Sequence, residues 1–318
     1  IDGMAYIGDY SIVIETNIGV ALYPKDGSSF DIIYKNADTA KLQADEKRMK
    51  YAFYNQGMND AILERLNLQN SLRTALNKKE FVLFYQPQYR AADKKIMGFE
   101  ALVRWNSEHM GMVPPTKFIP IAEETHFIIP LGAWILEEAV KFIKRLHNLG
   151  HTDLIMSVNI SSIQFNQKDF SEFVIDLINR YDLPPKTLEL EITETVMMGS
   201  MDNVINNMNR IREIGIRIAL DDFGTGYSSL NYLTKIPINT LKIDKVFIDD
   251  VGLKRERSLL VETIVNIAHA LGLSIVAEGV ETEEQYMYLL EHKCERIQGY
   301  YFSKPLPEDK VMDLITDH

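Results

Sequence analysis

The chain has 318 residues, 46% of them hydrophobic, and a formal net charge of -11 at pH 7, which is room for one large domain, with or without a smaller piece, around a well-buried core. The acidic balance excludes generic DNA or RNA binding, which needs Lys and Arg in excess on one surface. The longest apolar windows, such as "FIIPLGAWILEEAV", break at charges or proline before the roughly 20 residues of a bilayer span, so a cytoplasmic chain with neither leader nor membrane segment is expected. The single cysteine, Cys294, rules out an internal disulfide and any multi-cysteine metal site and fits a reducing compartment.

In chain order, residues 1–57 read as strand-like "YSIVIETNIGVALYP", a turn at "KDGSS" and a helical "FDIIYKNADTAKLQADEKRMK". This α+β fragment is too small to bury a comfortable core of its own. Residues 58–78 form a polar amphipathic linker helix. From residue 79 to 318 short apolar segments alternate with helical ones: "FVLFYQPQY", "KIMGFEALVRW", "LIMSVNIS", "TLELEITET", "IRIALDDFG", "TLKIDKVFI", "LSIVAEGV" and "RIQGYYFSKP". The helical stretches "PLGAWILEEAVKFIKRLHNLG" and "RSLLVETIVNIAHALGL" carry glycine at or near the end, where a C-cap is expected. Eight such alternations predict an α/β fold, a (β/α)8 TIM-like barrel, with a doubly wound open sheet as the alternative.

Parallel strands covered on both faces usually read as unbroken apolar runs, and these do not. In "LELEITE" Leu188, Leu190 and Ile192 share one face and Glu189, Glu191 and Thr193 the other; in "IMSVNIS" Met156, Val158 and Ile160 oppose Ser157, Asn159 and Ser161. If the apolar parity meets the outer helices, the polar parity points into the barrel. Polar groups then gather near the strand ends: Gln86, Glu100, Asn159, Glu191, Asp221, Asp222, Lys242, Glu278 and Gln298. Glu189 sits deeper and is read as structural.

Two like charges about 4 Å apart repel by roughly 4 kcal/mol at an effective dielectric near 20. Lys242 alone cannot offset Glu100, Glu191, Asp221, Asp222 and Glu278, so either several are protonated or divalent cations sit among them. Asp221 and Asp222 converge only if the backbone turns at the strand end, which nearby Gly224 and Gly226 allow. Carboxylates with an Asn carbonyl are hard oxygen donors suited to Mg²⁺ or Mn²⁺, and none of the seven histidines falls at a predicted strand end, which disfavours zinc. Two such ions suit in-line phosphoryl displacement, and Arg104, on the parity of Glu100, could grip a phosphate.

At "EALVRW" (100–105) the sequence resembles the EAL domain family, phosphodiesterases that open the bacterial second messenger cyclic di-GMP. The resemblance covers about residues 75–310, through "QP" (86–87), "SVNIS" (157–161), "ELEITET" (189–195), "ALDDFGTGYSSL" (219–230), "LKIDK" (241–245), "VAEGVE" (276–281) and "QGYYFSKP" (298–305) in the family's order. It implies that Glu100, Asn159, Glu191 and Asp221 hold one cation, with Asp221 and Asp222 helping to hold a second, Mg²⁺ or Mn²⁺ in each case. Lys242 and Glu278 would contact or activate the attacking water, with Glu278 the general base, and Gln86, Arg104 and Gln298 would face substrate. Glu194 would anchor the loop 223–229, which in this family couples dimerisation to metal binding, and a homodimer through the barrel follows. The implied reaction takes cyclic di-GMP to linear pGpG. A catalytically silent cyclic di-GMP receptor is the main rival, and an aldolase with a Lys242 Schiff base explains the lysine but not the carboxylates. Residues 18–55 resemble the closing part of a GGDEF diguanylate cyclase domain, with the usual "AK..GRN" altered to "ADEKRMK"; no GGDEF signature is present, so no cyclase activity is implied.

Overall fold

The computed structural model describes residues 3–7, 10–14, 16–47, 49–198, 201–224, 233–251 and 255–316. The chain divides into two compact units, Ile1–Ser71 and Leu72–His318. In the first, strands β1 (Gly3–Ile7) and β2 (Tyr10–Ile14) pair antiparallel, and β3 (Ile18–Val20) pairs parallel with β4 (Tyr51–Phe53). A helix, Phe30–Glu46, makes the crossover between β3 and β4. Gly19 lets β3 approach that helix: a Cβ there would lie 1.9 Å from the carbonyl oxygen of Ala37. The small core beneath holds Ala40, Ala44, Ala52, Tyr54 and Met58.

In the second unit the strands are β5 (Phe81–Arg90), β6 (Ile96–Ser107), β7 (Gly111–Val113), β8 (Ile155–Asn159), β9 (Leu188–Thr193), β10 (Arg217–Asp221), β11 (Thr240–Ile243), β12 (Ser274–Ala277), β13 (Arg296–Ile297) and β14 (Leu306–Pro307). They hydrogen-bond in the order β14-β5-β13-β12-β11-β10-β9-β8-β6-β7, and a further β5–β6 pairing closes eight of them into a barrel. The barrel is mixed, which the strand count did not reveal: β5 runs antiparallel to both β6 and β13, while β6 and the strands from β8 to β13 are parallel. The cause is the short link 91–95 between β5 and β6, which makes a hairpin and cannot hold the dozen or more residues of a parallel crossover.

The apolar parity faces the outer helices as the alternation predicts. Leu188, Leu190, Ile192, Met156 and Val158 are wholly buried, and Tyr85 stacks on Phe142 of the helix Ile128–Asn148 with ring centroids 4.1 Å apart. That helix ends in glycine chemistry, with Gly150 at φ +102°. Among the described residues no helix is long and apolar enough to cross a membrane.

The polar parity fills the inside. At the floor, Glu189 accepts from Arg296 Nη2 on both oxygens (3.0 and 2.9 Å), from Arg217 Nε (3.0 Å), from Thr240 Oγ1 (2.6 Å) and from Ser157 Oγ (3.2 Å). Burial alone would raise the Glu189 carboxyl, but the two guanidinium groups and the Thr240 hydroxyl outweigh it and hold it at about 2. Glu189 is thus a charged plug, satisfied within the barrel.

Candidate active site

Above the floor, strand β11 presents Lys242 inward while its neighbours Leu241 and Ile243 face the helices, and the lysine is buried to 1% exposure. Its Nζ is the point on which side chains from four strands converge. Glu191 Oε2 of β9 lies at 2.5 Å, Glu278 Oε1 just beyond β12 at 2.6 Å, Asp221 Oδ2 at the end of β10 at 3.4 Å and Glu100 Oε1 of β6 at 4.0 Å. Asn159 Nδ2 donates to Glu100 Oε1 at 2.6 Å, and Gln298 Nε2 donates to Glu100 Oε2 at 2.5 Å. Gln86 accepts from Gln298 Nε2 at 3.0 Å and donates to the carbonyl of Ser303 at 3.1 Å. Eight predicted residues, Gln86, Glu100, Asn159, Glu191, Asp221, Lys242, Glu278 and Gln298, therefore form one connected cluster at the parallel strands' C-terminal mouth.

The adjacent aspartates are reconciled by the backbone. Asp222 itself takes a left-handed conformation, φ +56°, and Gly224 follows at φ +91°. The turn therefore begins one residue past the strand, at an aspartate, a residue type that tolerates this region better than most. The Asp222 amide donates to Asp221 Oδ1 at 2.9 Å, and the Asp222 carboxyl shares a hydrogen bond with Asp244. Glu194 accepts from the amide of Gly224 at 3.1 Å, at the start of the predicted 223–229 loop. Residues 225–229, Gly226 included, lie outside the described residues.

Arg104 stands farther out. It donates to its neighbour's carbonyl, Val103 O, at 3.0 Å and sits over the Phe84 ring at 5.7 Å. Burial lowers it, while Tyr300 and Glu100 act the other way. Among the described residues it makes no ion pair with the clustered carboxylates.

One ammonium against four carboxylates leaves a deficit of positive charge, and the ionisation equilibria register it. Burial and then the charges of Glu100, Asp221 and Glu278 push Glu191 well above the carboxylate range, Lys242 opposing. Glu278 rises to about 8 from burial, with Asp221 and Glu100 adding to it against the pull of Lys242. Asp222 rises to about 6 from burial and the charges of Asp221 and Asp244. Lys242, which burial would lower, is held well above its ordinary value by Asp221, Glu100, Glu191 and Glu278.

The residues fit a divalent cation on their own chemistry. Glu191 Oε1 is buried without a hydrogen-bond partner, a state costly for a carboxylate oxygen unless a cation completes it, and the carboxylates of Glu100 and Asp221 that share the site offer hard oxygen donors. Among the described residues no three His, Cys, Asp or Glu groups form a finished cation cage; the carboxylates converge on Lys242 instead.

Sequence reasoning missed two side chains tied to this cluster. Gln88, wholly buried, joins Gln298 to Arg296, and its signal was visible: it shares the inward parity of Gln86 two residues on. Asp244, bonded to Asp222, sits in the quoted "LKIDK" but past the end of β11, where strand parity no longer applies.

The EAL domain family matches residues 69–305. The chain belongs to the EAL domain family. Signaling protein YkoW of Bacillus subtilis is 39% identical over 312 residues, 98% of this chain and 39% of YkoW. The bifunctional diguanylate cyclase/cyclic di-GMP phosphodiesterase MucR of Pseudomonas aeruginosa is 37% identical over 307 residues, 96% of this chain and 45% of MucR. The cyclic di-GMP phosphodiesterase NbdA of the same organism is 36% identical over 298 residues, 93% of this chain and 38% of NbdA. The chain thus spans less than half the length of these relatives. Among solved structures, the PaMucR phosphodiesterase in its c-di-GMP complex superposes with a TM-score of 0.74 at 37% identity, covering 77% of this chain and 99% of that one. The EAL enzyme Bd1971 with cAMP and cyclic di-GMP bound gives 0.76 at 39% identity, covering 80% and 70%. The closed barrel of these EAL domains is the fold described above.

Proposed function

We propose that this EAL barrel is a metal-dependent phosphodiesterase that hydrolyses one 3′–5′ linkage of cyclic di-GMP to linear 5′-pGpG. The observation that carries the reading is the mouth itself: Glu100, Glu191, Asp221 and Glu278 around the single buried Lys242, with one buried glutamate oxygen left unsatisfied. Glu100, Asn159, Glu191 and Asp221 would hold one Mg²⁺ or Mn²⁺, and Asp221 with Asp222 a second. Such ions supply Lewis-acid charge that neutralises phosphate oxygens during in-line displacement.

The chain's own groups account for the rest. Arg104 binds and orients a phosphate with its planar fork, and Gln86 and Gln298 line the substrate side of Glu100. Water attacks phosphorus and the P–O3′ bond breaks, so that OH joins the phosphate and a proton ends on the 3′ oxygen. Glu278, beside Lys242 at the mouth, takes the water's proton as general base. Lys242, 2.6 Å away, orients Glu278 and compensates its charge. Glu194 fixes the start of the loop 223–229, which follows Asp222. In the same reading residues 79–318 are the catalytic barrel of a cytoplasmic homodimer, 58–78 a linking helix and 1–57 a GGDEF remnant.

The test is incubation of the purified protein with cyclic di-GMP and Mn²⁺. Accumulation of pGpG that EDTA abolishes is the expected result. Binding without turnover would overturn the enzyme and identify a receptor.

A further inference from the structure

Beneath the mouth, a chain of directed hydrogen bonds links the floor ion pair to Glu100. Arg296, buried to 4% exposure and clamped on Glu189, uses Nη1 to donate to Gln88 Oε1 at 2.9 Å. A guanidinium only donates, so the Gln88 amide must stand with its oxygen toward Arg296 and its nitrogen toward the mouth. Gln88 Nε2 accordingly donates to Gln298 Oε1 at 3.0 Å. That contact in turn fixes the Gln298 amide, whose Nε2 is left to donate to Glu100 Oε2 and Gln86 Oε1. With the Gln298 amide flipped, its oxygen would face the Glu100 carboxylate, acceptor against acceptor.

We propose that Gln88 is a positioning residue: it passes the hydrogen-bond polarity set by the Arg296–Glu189 pair through Gln298 to the carboxylate of Glu100, and so pre-orients that carboxylate for a cation. The role of Glu100 as a cation ligand rests on the phosphodiesterase reading; the polarity of the relay does not. A glutamine amide is close to symmetric in shape, so packing alone does not choose between its two orientations, and a fixed donor at one end of the chain does. Outer-shell partners of metal ligands commonly tune affinity by roughly 10- to 100-fold, and two links of separation place the expected effect near the lower end.

Two substitutions separate positioning from mere filling of the floor. Gln88→Met keeps the bulk and removes both hydrogen bonds. Gln88→Glu keeps an acceptor for Arg296 but, when ionised, has no donor for Gln298. Two quantities are measured in wild type and both variants: Mn²⁺ affinity without substrate, by the loss of the free-ion EPR signal, and hydrogen exchange of the Gln298 side-chain amide, assigned by its disappearance in Gln298→Leu. Positioning predicts that both variants lose Mn²⁺ affinity by about 10-fold and that the Gln298 amide exchanges faster in both. A Gln88→Glu protein with wild-type exchange overturns the relay, as do Mn²⁺ affinities in both variants within about twofold of a metal-binding wild type. If the wild type itself takes up no Mn²⁺, the phosphodiesterase reading fails, and the exchange of the Gln298 amide still decides the relay.

Discussion

Asp222 occupies a left-handed backbone position next to a second aspartate, an arrangement unfavourable on both counts unless its carboxylate serves something beyond folding. If it helps hold a second cation, Asp222→Asn leaves Arg104 and Glu278 in place and weakens only that ion. Turnover should fall by roughly 100-fold with KM within about threefold of wild type; steady-state kinetics with full turnover retained would remove Asp222 from the two-ion role. The same cluster makes a prediction about metal removal. Glu278 is raised from 4.5 to about 8 and Asp222 from 3.8 to about 6, so each binds its proton more tightly folded than unfolded. Their contribution to stability is complete below the unfolded values and is lost as pH rises through about 6 and then about 8. In EDTA, Tm should therefore drop by roughly 5 °C between pH 5.5 and 8.5, and Mn²⁺ should flatten the slope by taking the place of the protons. A metal-free Tm that holds steady or climbs over that range contradicts the charge deficit described for the mouth.

At the scale of strands, the floor of the barrel shows the opposite linkage. Glu189 is lowered to about 2, so its contribution is present above its ordinary value of 4.5 and disappears as pH falls through about 2, on the order of 3 kcal/mol in all. Glu189→Gln leaves Arg296 and Arg217 without their counter-charge inside the barrel and should cost about 3–5 kcal/mol in urea unfolding at pH 7, with the gap to wild type closing as pH drops from 4.5 toward 2. An unchanged midpoint at pH 7 would mean that the plug is dispensable. These strands also show how far the sequence could be read. The alternation in "LELEITE" places Glu189 and Glu191 inside, one over the other, because period two admits no other facing once the helices claim the leucines. The direction of β5 was hidden, since alternation is the same forward and backward and only the shortness of the 91–95 link distinguishes a hairpin from a crossover. Gln88 shares the inward parity of Gln86, but parity does not tell which inward glutamine matters; its importance comes from Arg296 on β13 and Gln298 just beyond it, which closure brings across from more than 200 residues away along the chain. The turn at Asp222 was legible as a need, from two like charges that had to converge, but not as a location.

Over the whole molecule the two units differ in what holds them. The barrel unit closes its sheet on itself through the β5–β6 pairing, so its inner strands have both edges hydrogen-bonded and both faces filled. Among the described residues, the first unit rests on a core of Ala40, Ala44, Ala52, Tyr54 and Met58, mostly alanines with little area to bury, while Tyr23, Phe30, Tyr34, Tyr51 and Phe53 stay exposed. At about 25 cal/mol per Å² of apolar surface removed from water, such a core offsets far less chain entropy than the barrel's. The amides of β3, β4 and the helix Phe30–Glu46 should therefore exchange with solvent by opening reactions that leave the barrel intact, at least about 100-fold faster than those of β9, β10 and β11. Native-state hydrogen exchange by mass spectrometry measures both sets in one experiment. Equal protection, lost together at a single denaturant concentration, would contradict the weak core assigned to the first unit.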